Sequence, residues 1–111
     1  MPTRVSLSAD TERELLTAAD FLDRLEPGTH ADLIDGEVCM HSPVSTRHAD
    51  LLNFVDGLMR IWIDRHRLGK LYREAVAVHL SNRNVYLPDL AFFSTASAAT
   101  VMPTYVDGAP D

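Results

Sequence analysis

The apolar positions of this chain change their spacing several times, and each change marks an element. From Asp10 they fall at helical intervals, with Leu15, Leu16, Phe21, Leu22 and Leu25 three to five residues apart or adjacent on one face. Thr17-Ala18-Ala19-Asp20 has the form of a capping box, with Asp20 favouring the positive helix end. Either a helix starts there or two short helices break there. Pro27-Gly28 ends the stretch. Residues 1–9 carry no periodicity and read as an arm, so the expected organisation is an arm with the start of a first helix over 1–16, then one domain over 17–111.

Asp35-Gly36 lies between Ala31-Asp32-Leu33-Ile34 and Glu37-Val38-Cys39-Met40, which predicts a hairpin over 31–41. A two-residue type I′ turn needs positive φ at both central positions, and Asp-Gly supplies it. After Pro43 the spacing predicts a long helix over 45–67, opened by Ser45 or Thr46 and stopped by Gly69 in a left-handed conformation. Its apolar stripe runs Leu51, Leu52, Val55, Leu58, Met59, Trp62, as for a helix packed on a sheet. Extended backwards, the stripe reaches His48, which either points to the sheet edge or is a buried histidine satisfied by a carbonyl.

Two strands are expected next, over 70–80 and 85–93, joined by Ser81-Asn82-Arg83-Asn84. In the first, Val76, Val78 and Leu80 alternate with Ala75, Ala77 and His79. In the second, Val85, Leu87, Asp89, Ala91 and Phe93 share one face, so Asp89 interrupts an apolar row. Burying an unpaired carboxylate costs at least several kcal/mol, so Asp89 needs a cation or a metal ion beside it. Pro88 removes one ladder donor and places the strand at an edge or at a bulge.

Composition narrows the possibilities. With 111 residues, 46% hydrophobic and 23% charged, the chain is too apolar for a disordered one and long enough for a single core. The net charge of −6 gives no overall footprint for non-specific nucleic-acid binding. Arg60, Arg65, Arg67, Lys70 and Arg73 cluster locally, as a basic patch or a solvated helix end. A single cysteine excludes an internal disulfide and fits a reducing compartment, with Cys39 expected as a small core residue. No segment is apolar for long enough to span a bilayer, so a cytoplasmic protein is expected. His30, His41, His48, His66 and His79 lack the tight spacing of a zinc site.

Five pieces then align in order: Thr17-Ala18-Ala19-Asp20-Phe21-Leu22, Leu33-Ile34-Asp35-Gly36-Glu37-Val38, Ser42-Pro43 with Arg47-His48, Asn84-Val85-Tyr86-Leu87-Pro88-Asp89-Leu90, and Gly108-Ala109-Pro110-Asp111. Over 17–111 the chain resembles the Uma-type restriction endonuclease family, a bacterial branch of the PD-(D/E)XK nuclease superfamily. The resemblance implies an α/β (α+β) restriction-endonuclease-like fold, a mixed β-sheet with flanking helices. It also implies phosphodiester hydrolysis of nucleic acid with Mg²⁺ or Mn²⁺, so that DNA is the partner. Asp89 would be a metal ligand and, with His48, catalytic. Glu37 is the further candidate ligand, and Asp32 and Glu74 are other carboxylates on neighbouring strands.

In relatives, the segment like Gly108-Ala109-Pro110-Asp111 runs into a strand with a second metal-binding glutamate, then a Ser-Pro-Ser loop and a helix with a lysine. The sequence ends at Asp111, so the resemblance implies a missing C-terminal portion and a catalytically incomplete domain. The alternative is a non-catalytic binding or oligomerisation module, a homodimer or other self-association through an exposed sheet edge.

Overall fold

The computed structural model describes residues 15–73 and 76–111. The expected arm, the helical stretch over 10–14, and Glu74 and Ala75 lie outside the described residues. Leu15 to Thr17 are not helical, and helix α1 (Ala18–Arg24) begins at the capping box. The Thr17 hydroxyl accepts from the Asp20 N–H at 3.2 Å. The helix buries Ala18 and Phe21.

The hairpin forms as read, with β1 (Ala31–Ile34) and β2 (Glu37–Met40) antiparallel and Ala31 opposite Met40. Asp35 and Gly36 take φ values of 50° and 88°, the type I′ requirement. The turn is tied to the rest of the fold: Gly36 N–H donates to Arg83 O at 2.9 Å, and Asp35 N–H to Asn84 Oδ1 at 3.0 Å. Alternation along β2 buries Val38 and exposes Cys39, so Cys39 is a surface thiol and not a core residue.

Helix α2 (Thr46–His66) is capped by Ser45, whose hydroxyl accepts from His48 N–H at 3.1 Å. It stops earlier than Gly69. Arg67 is the left-handed residue, with φ 53°, and Leu68 N–H reaches Ile63 O at 3.0 Å. Gly69 serves a different need. It opens β3 (Gly69–Arg73) opposite Ser94, and a Cβ there would lie 2.1 Å from Phe93 O, so only glycine lets the two strands approach. The buried side of α2 is also not the whole expected stripe. Ile63 is buried and Leu52, Val55 and Met59 are half-buried, while Leu51, Leu58 and Trp62 are exposed. Apolar residues cover roughly 200° of this helix, more than one sheet can bury.

Each of the two expected long strands is broken. The first yields β3 and β4 (Ala77–Ser81), the second β5 (Asn84–Tyr86) and β6 (Leu90–Ser94). The short β7 (Thr100–Val101) and β8 (Tyr105–Asp107) follow. A six-stranded mixed sheet has the order β2-β1-β5-β4-β8-β7, antiparallel except for the β4–β8 pair, and β3 and β6 form a separate antiparallel ribbon. This is the expected α+β architecture. One core gathers Leu16, Phe21, Ala31, Leu33, Val38, Val85 and Leu87; a second gathers Val78, Ala91, Phe93 and Val106. Among the described residues no helix is long and apolar enough to cross a membrane.

Candidate functional site

Asp89 sits where the chain passes from one sheet to the other. Val85, Leu87, Ala91 and Phe93 are buried as the row predicts, but Asp89 occupies the bend between β5 and β6 and its side chain is 57% exposed. The expectation of a buried carboxylate is therefore corrected. Two effects combine: Pro88 has no N–H to continue the ladder, and the preceding donor, Leu87 N–H, is taken by the Asp32 carboxylate at 2.8 Å. Asp32 thereby fixes the bend from β1. It also receives His41 Nε2 at 2.9 Å, so both of these partners hold a single oxygen.

The bend brings Asp89 to the first turn of α2. His48 Nε2 lies 2.9 Å from Asp89 Oδ2, with the imidazole 42% exposed. An ionised carboxylate only accepts, so Nε2 carries the proton in this bond. The bland alternative of a buried histidine bonded to a carbonyl does not hold. The pair lies on a pocket of about 540 Å³ whose other walls include His30, His41, Leu52 and Arg73. His30 and His41 flank the hairpin, joined by the bond from His41 N–H to His30 O at 2.9 Å, with their rings edge to face.

Arg73 is held from the helix side. Its guanidinium donates to Asn53 Oδ1 and, at 3.4 Å, to Asp56 Oδ2, while Arg60 donates to Asp56 Oδ1 at 2.8 Å. These cations, led by the Arg60 hydrogen bond, hold the Asp56 carboxyl below its ordinary range against the opposing effect of burial. A lowered folded pKa means that the latch stabilises the fold above the unfolded carboxylate pKa and fades as pH falls through the folded one. Thermal midpoints of the wild type and Asp56→Asn are accordingly expected to differ at neutral pH and to converge below about pH 4. A gap that persists at acid pH would contradict the latch.

Two of the three candidate site residues, Asp89 and His48, are brought together. Glu37 is not. It lies exposed at the turn end of β2, opposite Ile34, whereas the pocket adjoins the other end of the hairpin at His30 and His41. Glu74 lies outside the described residues. The sequence offers Asp32 as a further carboxylate, His30 and His41 as histidines without zinc spacing and Arg73 as part of a basic cluster, but does not gather them about the Asp89 bend; the hairpin register, once drawn, sets His30 beside His41. His66 and His79 lie elsewhere, against Trp62 and Asp107 respectively. Arg65, Arg67 and Lys70 are exposed, while Arg60 and Arg73 belong to the Asp56 latch. No group of three or more His, Cys, Asp or Glu positioned to hold a metal ion occurs among the described residues.

The family model Uma2, described as "Putative restriction endonuclease", matches residues 18–111, from the start of α1 to Asp111. No curated protein matches the chain.

Proposed function

The chain belongs to the Uma2 restriction endonuclease family, and on that premise we propose that the pocket at the Pro88–Asp89 bend hydrolyses phosphodiester bonds of nucleic acid with a divalent ion. The observation that carries this reading is the 2.9 Å bond that sets His48 against an open carboxylate on a pocket wall. Mg²⁺ commonly uses one or two carboxylates and keeps several waters. Asp89 suits that mode: one oxygen is engaged by His48, and the side chain is exposed enough to offer the other. Asp32 is already committed to Leu87 and His41, and Glu37 is remote. The donor set thus fits a largely hydrated Mg²⁺ or Mn²⁺ and not a four-coordinate zinc.

Such an ion would polarise the phosphoryl oxygen and acidify a bound water. The residues of the chain supply the rest. His48 orients Asp89 by donating from Nε2. Arg73, fixed by Asn53 and Asp56, places a positive charge on the pocket wall, which a chain of net charge −6 needs in order to receive a phosphate locally. Supercoiled plasmid and single-stranded DNA incubated with the purified chain should be cleaved with Mg²⁺ or Mn²⁺ and left intact with EDTA. Cleavage that persists in EDTA would overturn the reading.

The second reading is a non-catalytic binding module, favoured by the lack of a three-ligand cluster among the described residues. It predicts DNA retention without turnover in the same assay.

A further inference from the structure

Helix α2 carries two apolar faces, and the described residues cover one of them. Leu51, Phe54, Leu58, Ile61 and Trp62 are 61%, 64%, 57%, 68% and 60% exposed. At 100° per residue they fall within an arc of about 100°, on the side away from Ile63 and Asp56. The spacing of 51, 54, 58 and 61 is that of a helix-pairing seam, alternately three and four residues. The five residues expose roughly 700 Å² on one copy, more than a monomer ordinarily leaves in one apolar patch. Two such faces together bury about the area of a standard specific interface, roughly 1,200–2,000 Å².

The arrangement of the row indicates what covers it. About Asp56 it is nearly symmetric: Leu51 corresponds to Ile61, Phe54 to Leu58, and Arg47 to Arg65. In a self-complementary two-fold contact, where residue i meets j and j meets i, this symmetry sets apolar residues against apolar ones along the seam. An antiparallel pair sets Phe54 against Leu58, whereas a parallel one sets Phe54 against Phe54 and Trp62 against Trp62. Antiparallel packing also opposes the helix dipoles favourably. At each end this register brings Arg47 of one copy near Arg65 of the other, and Asp50 and Asp64 on the flank of the face offset the two cations.

Gly57 lies level with the middle of the row and flanks it, about 40° outside its arc, and none of the described residues packs against it. A Cβ there would meet no atom within 4 Å. Glycine in a helix interior costs about 1 kcal/mol relative to alanine. Beside a helix crossing, the missing side chain leaves room on the flank of the seam.

We propose that two copies of this chain pair through the outer face of α2, helix against helix and antiparallel, about a two-fold axis that crosses the seam between Phe54 and Leu58. The surface differs from the sheet edge suggested by sequence. The six-stranded sheet ends on one side in the two-residue β7, and the edge of β6 is met by Asp111, whose N–H donates to Phe92 O at 2.8 Å. The inference does not depend on the nuclease reading.

Sedimentation of the full chain at micromolar concentration should show a dimer. Leu58→Glu, at an exposed position, should raise the dissociation constant roughly 30-fold or more and leave the far-ultraviolet circular dichroism unchanged. For orientation, Leu51→Cys with Ile61→Cys in a Cys39→Ser background should form an intermolecular disulfide on oxidation, and each single variant should not. Positions 51 and 61 of one helix are about 15 Å apart along its axis and cannot bond to each other. A monomeric wild type, a dimer indifferent to Leu58→Glu, or efficient cross-linking of Leu51→Cys alone would each overturn the proposal.

Discussion

Phe21→Ala is expected to cost about 3–5 kcal/mol and to leave little folded protein at physiological temperature. Phe21 is 0% exposed and belongs to the cluster with Leu16, Leu33, Val38, Val85 and Leu87. Helix α1 has seven residues, too few to persist alone in water. Its cap bond, from Asp20 N–H to Thr17, contributes about 1 kcal/mol and Ala18 N–H donates to Asn82 O at 2.6 Å, so the buried ring is its main apolar anchorage. Removing the ring leaves a void against β1 and β5, which carry the hairpin and the approach to the Asp89 bend. Urea unfolding followed by circular dichroism measures the loss, and a change under about 1 kcal/mol would contradict this packing.

Asp89→Asn is expected to lower divalent-dependent cleavage at least about 100-fold, because changes to partners one step removed from a metal already cost 10–100-fold. The substitution keeps the size of the side chain and a carbonyl oxygen that can accept from His48 Nε2, so the bend and the imidazole keep their geometry while the ligand charge is lost. The site is exposed and the ion pair lies at the surface, so stability should change by less than about 1 kcal/mol. The effect is therefore separable from unfolding. Wild-type cleavage rates in the folded variant would place the chemistry elsewhere.

The parts of the fold that depend on near neighbours were legible in the sequence. Asp35-Gly36 dictates its own turn, and Ser45 caps α2 from three residues away. At Leu87-Pro88-Asp89 the sequence showed an edge or bulge at Pro88 but not the full break, because inward alternation continues across it from Val85 to Phe93 and the residue that captures Leu87 N–H, Asp32, lies 55 positions earlier. Which arc of α2 faces inward was equally hidden, since apolar residues surround more than half the helix and the choice falls to β3 and the Asp56–Arg73 pair. His48 and Asp89 were each singled out by a local signal, a polar group on an apolar face. That they meet across 41 positions is a property of the bend. Glu37 was a candidate only as a carboxylate on a neighbouring strand, and it lies at the far end of its hairpin from the pocket.

The central claim is that Asp89 is a ligand of a divalent ion in this pocket. It is tested most directly by calorimetric titration of Mn²⁺ into the wild-type chain and into Asp89→Asn. A single site with a dissociation constant of about a millimolar is expected for the wild type, as befits one open carboxylate, and none for the variant. Indistinguishable heats from the two proteins would contradict it.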